Sequence, residues 1–275
     1  MIYILDFRAS DVGGAVVPGR LIRPAGPVAF GTEDDLVRES KFTFVIHGFN
    51  VSRRDGRERL VYLANRLPSA ADGAILAVLW PGDHWVGPAS YPFEGNDADD
   101  SAAELARYIE RVIPPGSPLG FVSHSLGARV VMETLKRLIG RGYAIGPVCL
   151  MAAAIDDFSL ADPEDYRNAV DMAERIAVLA SHEDEVLKLA YPTGDLLQAF
   201  IFFWRDSAGL AAGYHGPKPS GEHPLQGHVY HFQIPDVRNS DHGDYIPDSS
   251  PSANQLSAAA FADQVLKRVG APQYP

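Results

Sequence analysis

Cysteine is almost absent from this sequence of 275 residues, because Cys149 is the only one. A single cysteine excludes a disulfide bridge within the chain. A chain of this length buries about three-quarters of its unfolded surface on folding, so it needs no such bridge. Cys149 lies in an apolar run at residues 148–151, which is typical of a strand. We therefore expect a buried and chemically inert thiol.

Long apolar runs are also missing. No stretch approaches the roughly 18 residues that a membrane-spanning helix requires. The N-terminus, Met-Ile-Tyr-Ile-Leu-Asp, has neither the basic start nor the long apolar segment of a secretory signal peptide. These absences favour a cytoplasmic protein that has no membrane span.

Positive charge is in deficit, since 24 basic residues stand against 35 acidic ones and the formal net charge is −11. Nucleic-acid-binding proteins usually present a basic face to the phosphates, so nucleic acid is not an expected partner. The same negative field would repel an anionic membrane surface. Hydrophobic residues make up 46% of the sequence, which is typical of a folded globular protein and not of a disordered one.

Short apolar runs alternate with helical patterns along the chain. The predicted strands cover residues 42–46, 75–80, 118–122, 147–152, 176–180 and 229–234. Apolar residues recur with the spacing of one helix face in segments 60–67, 105–113 and 131–139. This alternation predicts an α/β fold, with a mostly parallel, doubly wound sheet and helices on both faces. We expect one domain over residues 1–275.

Local signals also predict helix boundaries. The Asp and Ser residues at 97–101 are expected to cap the helix of segment 105–113. The last helix is expected to begin at Ser250 and Pro251 and to stop at Gly270. The connection between strands 147–152 and 176–180 is short and is expected to hold a crossover helix, which leaves no room for a large cap.

Two segments interrupt the alternation. Residues 81–98 are expected to form a loop that carries aromatic side chains. Residues 190–228 form a candidate lid or pocket insertion, because long insertions in compact folds often serve binding. The apolar run at 200–204 within it is also typical of a core helix or strand.

The strongest chemical signal is the sequence Ser-His-Ser-Leu-Gly at residues 123–127, which follows a predicted strand and precedes a helical pattern. A small-x-Ser-x-Gly sequence in that context is typical of a nucleophile elbow, a tight turn that lifts a serine hydroxyl above the sheet. Ser125 would be the nucleophile, at a helix N-terminus that favours negative charge. Ser123 stands where the strict pattern has glycine, so a chance turn is the alternative.

A His-Gly turn ends the predicted strand 42–46. We expect it to aim the backbone N–H of Phe49 toward Ser125, with the N–H of Leu126 as the second donor of an oxyanion hole. The alternative is an ordinary turn in which Gly48 only permits the backbone angle.

A serine nucleophile needs a base and an acid that orients the base, and in this class of sheet the acid and then the base follow the serine along the chain. Asp184, just past the strand 176–180, is the candidate acid. His242, in a flexible glycine-flanked loop after the last strand, is the candidate base. The rival acids are Glu183, Glu185, Asp156 and Asp157.

The other histidines fit these roles less well. His124 adjoins the nucleophile, and we expect its side chain to point away from the site. His228 and His231 are three residues apart, so the two-residue period of a strand places them on opposite faces. No cysteine or carboxylate completes a set with them and His223, so no metal site is expected.

Four arginines follow the His-Gly turn, at positions 53, 54, 57 and 59. Such a cluster near the mouth of a site can attract an anionic substrate. The simpler interpretation is a solvated helix start.

Together these motifs resemble the α/β-hydrolase superfamily, and within it a branch described as a domain of unknown function. The sequence motifs on which this resemblance rests lie at residues 47–52, 80–81, 124–127, 181–187 and 242–245. The resemblance covers residues 40–246, and segment 190–228 within it matches no sequence motif of this family. The resemblance implies a Ser-His-Asp hydrolase that uses no cofactor.

We therefore predict a serine esterase that cleaves a small-molecule carboxylic ester through an acyl-enzyme. Ser125 would attack, His242 would carry the proton, and Asp184 would hold the imidazole. The candidate pocket walls are His47, Trp80, Trp85, Tyr91 and Phe203. An acyltransferase or amidase with the same triad, or a non-catalytic binding protein with the same fold, stays open as an alternative.

Overall fold

Eight strands of the chain pair into one sheet. The computed structural model describes residues 1–11, 14–23, 31–82, 91–190, 210–268 and 270–275, without the side chains of 91–96 and 189–190. The strands are β1 (Ile2–Arg8), β2 (Val16–Ile22), β3 (Phe42–Ile46), β4 (Ala74–Leu79), β5 (Pro118–His124), β6 (Ala144–Met151), β7 (Ala173–Ser181) and β8 (Val229–Ile234). Their order is β2-β1-β4-β3-β5-β6-β7-β8, and only β1 with β2 is antiparallel. The predicted mostly parallel, doubly wound sheet is confirmed.

Helices cover both faces of this sheet. They are α1 (Glu33–Leu36), α2 (Arg53–Ala64), α3 (Tyr91–Val112), α4 (Gly127–Leu138), α5 (Arg167–Val170), α6 (Glu185–Ala190), α7 (Ala212–His215) and α8 (Ala253–Lys267). Helices α3, α4 and α5 pack on one face, and α2 and α8 pack on the other. Within the described ranges, no helix combines the length and the apolar character that crossing a membrane requires.

The core lies on both sides of the sheet because neighbouring strand residues point to opposite faces. Phe44 of β3 is buried under α3 and α4, where its ring stacks on Phe121 at 5.1 Å, whereas Val45 faces α2 and α8. Burial on both faces explains why the predicted strands are nearly continuous apolar runs. Cys149 is fully buried in β6, as expected, and its burial raises the pKa of the thiol.

Two strands were not predicted, because each contains residues that are unusual in a strand. The first, β1, contains Asp6 and Arg8, whose side chains are fully buried. The Arg8 guanidinium donates to the carbonyl oxygens of Val51 and Trp80, so its burial depends on partners distant in sequence. The second, β2, contains Pro-Gly at 18–19, a turn signal that is tolerated because β2 is an edge strand.

The predicted boundaries of two helices are wrong. The cap of α8 is Ser252 and not Ser250, because Ser252 and Gln255 form a reciprocal capping box that position 250 cannot form. The helix ends at Lys267, before Gly270. Helix α3 begins at Tyr91, so residues 97–101 lie inside it. There Asp99 forms a bidentate ion pair with Arg129 of α4.

The β6–β7 connection also differs from the expectation. Its only helix is α5, which is a single turn. Asp162 precedes Pro163, and its carboxylate accepts the N–H of Glu164, which favours turns over a continuous helix. As for the candidate lid at 190–228, residues 191–209 lie outside the described residues.

Candidate active site

The predicted functional residues lie at the carboxyl ends of β3, β5, β7 and β8. The chain passes from β3 to β4 on one side and then from β4 to β5 on the other side of β3. At such a reversal the connecting loops diverge and leave a crevice beyond the strand ends, which is where ligands bind in open α/β sheets. The topology therefore places the site beside Ser125.

Ser125 follows β5 in a tight turn before α4. Its backbone is left-handed, with φ +53°. The Ser125 N–H donates to the carbonyl of Met151 at 2.9 Å, and its carbonyl accepts the N–H of Ala154 at 3.2 Å. These two bonds fix the turn to the end of β6 and hold a serine in a conformation that disfavours any side chain, at a cost of about 1–2 kcal/mol.

Two glycines let the turn after β3 approach the turn after β5. A Cβ at Gly48 would lie 2.7 Å from the Cβ of Ser125, and a Cβ at Gly127 would lie 2.5 Å from the carbonyl oxygen of His47. Gly48 is not among the described residues with positive φ. Glycine is therefore required at position 48 by close contact and not by the backbone angle.

His242 connects the predicted nucleophile to the predicted acid. Its Nε2 lies 2.9 Å from Ser125 Oγ, and its Nδ1 lies 2.8 Å from Asp184 Oδ2. With Nδ1–H donating to the carboxylate, Nε2 is free to accept the serine proton. Asp184 is fully buried, and its Oδ1 accepts the N–H of Leu187 at 2.9 Å. The carboxylate is therefore fixed before any substrate binds.

Two of the rival acids adjoin Asp184 in sequence, and the other two lie in the loop after β6. The side chain of Glu185 is exposed, and Glu183 directs its backbone N–H to Ser181 Oγ. Asp156 and Asp157 belong to the loop after β6, where Asp157 forms an ion pair with a lysine of the loop after α7. The carboxylate that forms a hydrogen bond with the His242 ring is that of Asp184, the predicted acid.

The loop that carries His242 is not the flexible segment we expected. It forms a 3₁₀ turn, His242–Asp244, with a reciprocal capping box between Asp241 and Asp244. The carbonyl of Gly243 accepts the side-chain amide of Gln255, in the first turn of α8, at 3.2 Å. These bonds fix the height of the imidazole above Ser125.

A further tie joins the base loop to the acid loop. Ser181 Oγ, at the end of β7, donates to the carbonyl of Ser240 at 2.7 Å. Because Ser181 is three residues before Asp184, this bond couples the positions of Asp184 and the loop that carries His242. Sequence reasoning did not identify Ser181 as part of the site.

His124 does not point away from the site, contrary to our expectation. Its Nε2–H donates to the carbonyl of His242 at 2.9 Å, and the two rings are 4.7 Å apart. Burial, followed by the proximity of His242, lowers the pKa of His124 well below 6.5. A neutral His124 therefore supports the backbone of the candidate base. The sequence placed it next to the nucleophile but gave no sign of this bond.

The predicted oxyanion donors differ in how they are placed. Leu126 is the first flanking residue of α4, and its N–H has no acceptor among the described residues. The N–H of Ser125 is engaged with β6 and is not available. Phe49 follows the His-Gly turn and lines the cavity above Ser125. The roles of Phe49 and Leu126 in an oxyanion hole stay predictions.

A cavity of about 390 Å³ opens above Ser125. Besides Ser125, His242 and Phe49, its described lining consists of His47, Asn50, Val51, Arg59, His124, Val186, Leu187, Gly243 and Ile246. Val186, Leu187 and Ile246 were not predicted. They follow the acid and the base in sequence, so a search of the residues adjoining each candidate could have found them.

The predicted pocket walls are only partly found in this lining. His47 lines the cavity, and its Nδ1–H donates to the carbonyl of Gly48 at 2.7 Å. Trp80 is fully buried and stacks behind the His47 ring, and its indole N–H donates to the carbonyl of His47. Trp80 therefore supports the wall and does not form it. Trp85, Phe203 and the side chain of Tyr91 lie outside the described residues.

The donor set at the site is suited to proton transfer. Over the ranges that the structure describes, no group of His, Cys, Asp and Glu side chains has the arrangement of a metal site. What lies above the sheet is a hydroxyl, an imidazole and a buried carboxylate in one line of hydrogen bonds. That arrangement can activate a serine oxygen for attack on a carbonyl carbon.

A family model described as alpha/beta hydrolase of unknown function (DUF900) matches residues 33–195, more than half of the chain. The chain belongs to this family. The matched region contains β3 to β7 and carries Ser125 and Asp184, whereas β8 and His242 lie beyond it. Among curated proteins, no match to this α/β-hydrolase was found.

Solved structures similar to this α/β-hydrolase include esterases at low sequence identity. Carboxyl esterase 2 from the mycorrhizal fungus Tuber melanosporum is 11% identical, with a TM-score of 0.42 over 85% of this chain and 80% of that one. A metagenomic carboxyl esterase is 18% identical, with a TM-score of 0.39 over 94% and 82%. The catalytic core domain of acetyl xylan esterase from Trichoderma reesei is 13% identical, with a TM-score of 0.39 over 83% and 96%.

The left-handed backbone of Ser125 predicts a stability gain on removal of its side chain. We expect Ser125→Gly to be more stable than Ser125→Ala by about 1 kcal/mol, because glycine adopts positive φ without steric cost. Urea unfolding of the two variants measures the difference. Ser123, in β5, provides the control: Ser123→Gly should be no more stable than Ser123→Ala, since glycine weakens a strand. Equal stability of the two Ser125 variants would contradict the strain.

The lowered pKa of His124 predicts acid sensitivity of the fold. The unfolded chain takes up a proton near pH 6.5, while the folded chain does not until well below that pH, so stability falls as the pH decreases through this window. We expect His124→Gln to lessen the slope by up to about 1.4 kcal/mol per pH unit. Urea unfolding from pH 7 to pH 5 tests this. The exposed His223, changed to Gln, is the control, and equal slopes for both variants would oppose the assignment.

Proposed function

We propose that this α/β-hydrolase is a serine esterase that cleaves carboxylic esters through an acyl-enzyme. The observation that carries the proposal is the line of hydrogen bonds from Asp184 through His242 to Ser125, at 2.8 and 2.9 Å. A hydroxyl is a weak nucleophile at neutral pH unless a base within hydrogen-bond reach takes its proton. His242 meets this geometric requirement.

In the first half of the reaction, Ser125 Oγ attacks the ester carbonyl carbon while its proton passes to His242 Nε2. The imidazolium that forms lies against the buried carboxylate of Asp184, which stabilises the positive charge and keeps the ring oriented. The tetrahedral intermediate then collapses. His242 returns the proton to the leaving alcohol, and the acyl group stays on Ser125.

Negative charge develops on the carbonyl oxygen during attack. The N–H groups of Leu126 and Phe49 are the proposed donors to this oxyanion, because they flank Ser125 at the start of α4 and after β3. Donors fixed in advance contribute about 3–4 kcal/mol each in comparable sites. The rigid contact of Gly48 with Ser125 supports such a fixed arrangement.

In the second half, His242 takes a proton from a water molecule, which attacks the acyl carbon. The tetrahedral intermediate collapses with release of the carboxylic acid, and His242 returns the proton to Ser125 Oγ. The attack by water needs the imidazole to be neutral again, which follows from its donation to the alcohol. The apolar walls formed by Val186, Leu187 and Ile246 suit a small hydrocarbon portion of the substrate.

A fluorophosphonate probe tests the nucleophile directly. We expect the folded protein to form a covalent adduct at Ser125 and Ser125→Ala to form none, with intact-mass spectrometry as the readout. Ser123→Ala is the matched control, since Ser123 is a buried serine two residues away, and it should label like the unmodified protein. Absence of labelling in the unmodified protein, or equal labelling of Ser125→Ala, would refute the serine-hydrolase proposal.

Substitution of the acid tests its role. Asp184→Asn should lower kcat toward a 4-nitrophenyl ester by about 10³- to 10⁴-fold, because an amide no longer stabilises the imidazolium or the required tautomer. Glu185→Gln, at the adjoining exposed carboxylate, should keep most of the activity. Circular dichroism checks that both variants fold. Full activity of Asp184→Asn would assign the role to another acid.

A further inference from the structure

Helix α2 begins with a cluster of four arginines, and three of them are engaged. They are Arg53, Arg54, Arg57 and Arg59. The first two form ion pairs with acidic residues, and Arg57 donates to a backbone carbonyl. Arg59 forms neither an ion pair nor a hydrogen bond with any residue that the structure describes. Arg59 therefore differs from the other three arginines, whose guanidinium groups have partners in the described part of the chain.

The packing of α2 fixes the backbone at Arg59, whose side chain is exposed. A Cβ at Gly56 would lie 3.2 Å from the His47 ring and 3.0 Å from the Leu79 side chain, so the helix lies close to the ends of β3 and β4 at this point. Residues three apart share a helix face. Arg59 is thus directed to the same side as Gly56, where it lines the cavity above Ser125.

The described part of the cavity lining brings no carboxylate to Arg59. Of the described lining residues, Arg59 is the only lysine, arginine, aspartate or glutamate. Asp184 is fully buried behind His242 and bonded to it. Burial lowers the pKa of His124 most, and the nearby His242, His47 and Arg59 lower it further.

We propose that Arg59 selects ester substrates that carry a carboxylate or another anionic group away from the scissile bond. The proposal rests on the proposed esterase function and names the substrate class of the same site. Apolar residues of the same cavity lining, Val51, Val186 and Ile246, accommodate the hydrocarbon that links the two ends of such a substrate. A guanidinium binds a carboxylate through two parallel hydrogen bonds, which selects this group over a methyl group of similar size.

The net charge of −11 does not oppose this selection. Exposed charges farther apart than about 8–10 Å are largely screened at physiological salt, whereas Arg59 belongs to the lining of the cavity in which the anion would bind. The local charge therefore determines what binds next to Ser125.

Two matched esters test the proposal. Mono-4-nitrophenyl adipate and 4-nitrophenyl hexanoate differ by a carboxylate in place of a terminal methyl group. The ratio of kcat/KM for adipate over hexanoate should fall by about three- to tenfold in Arg59→Gln and further in Arg59→Glu. Arg54→Gln, on the same helix but paired with Glu58 and outside the cavity lining, should keep the ratio. A second pair of esters places the anion on the alcohol side. Here kcat/KM for 3-carboxyphenyl butyrate is compared with kcat/KM for phenyl butyrate in the same variants.

The result that would overturn the proposal is a ratio unchanged within twofold in Arg59→Gln for both ester pairs. Hydrolysis of the hexanoate that is lost in Ser125→Ala tests the esterase function separately from this ratio. If neither ester is hydrolysed, the esterase function fails, and binding to Ser125→Ala decides the role of Arg59. In Ser125→Ala, ligand-observed NMR should show monomethyl adipate bound more strongly than methyl hexanoate. If adding Arg59→Gln to Ser125→Ala leaves this preference unchanged, selection by the charge of Arg59 is refuted.

Discussion

The site depends on the close approach of two turns, one after β3 and one after β5. Gly48 lies against the Cβ of Ser125, and Gly127 lies against the carbonyl of His47, at separations that leave no space for a methyl group. Packing at this density means that neither turn can move alone. The left-handed backbone of Ser125 is held within this contact, so the strain is maintained by the surrounding sheet and not by the turn itself.

The remaining groups are brought to that point by the order of the strands. Parallel strands present their carboxyl ends at one edge, so the Asp184 carboxylate after β7 and the His242 imidazole after β8 can meet Ser125 after β5. More than one hundred residues separate Ser125 from His242 along the chain. Hydrogen bonds between loops then fix the distances. His124 and Ser181 both contact the base loop, and neither needs to touch a substrate to hold His242 in place.

Much of this arrangement was predictable from local sequence, and several of the exceptions depend on contacts between residues far apart in the chain. The six apolar strands, the turn at Ser125 and the residues Asp184 and His242 carry their signals within a few positions. β1 was not predicted because its buried Asp6 and Arg8 are acceptable only beside partners far away in sequence. For the same reason, the contact of His124 with His242 and the burial of Trp80 behind His47 could not be predicted, since each is a property of packing.

The amide of Gln255 that contacts Gly243 has a consequence for the order in which the protein matures. During synthesis, β5 and β7 emerge first, and with them the serine and the carboxylate. A nascent chain that has reached His242 still lacks α8, the helix whose first turn fixes the imidazole. Helix α8 also covers one face of the sheet, through the side chains that it buries under β6 and β7. Completion of this part of the core and positioning of the His242 imidazole therefore both depend on α8.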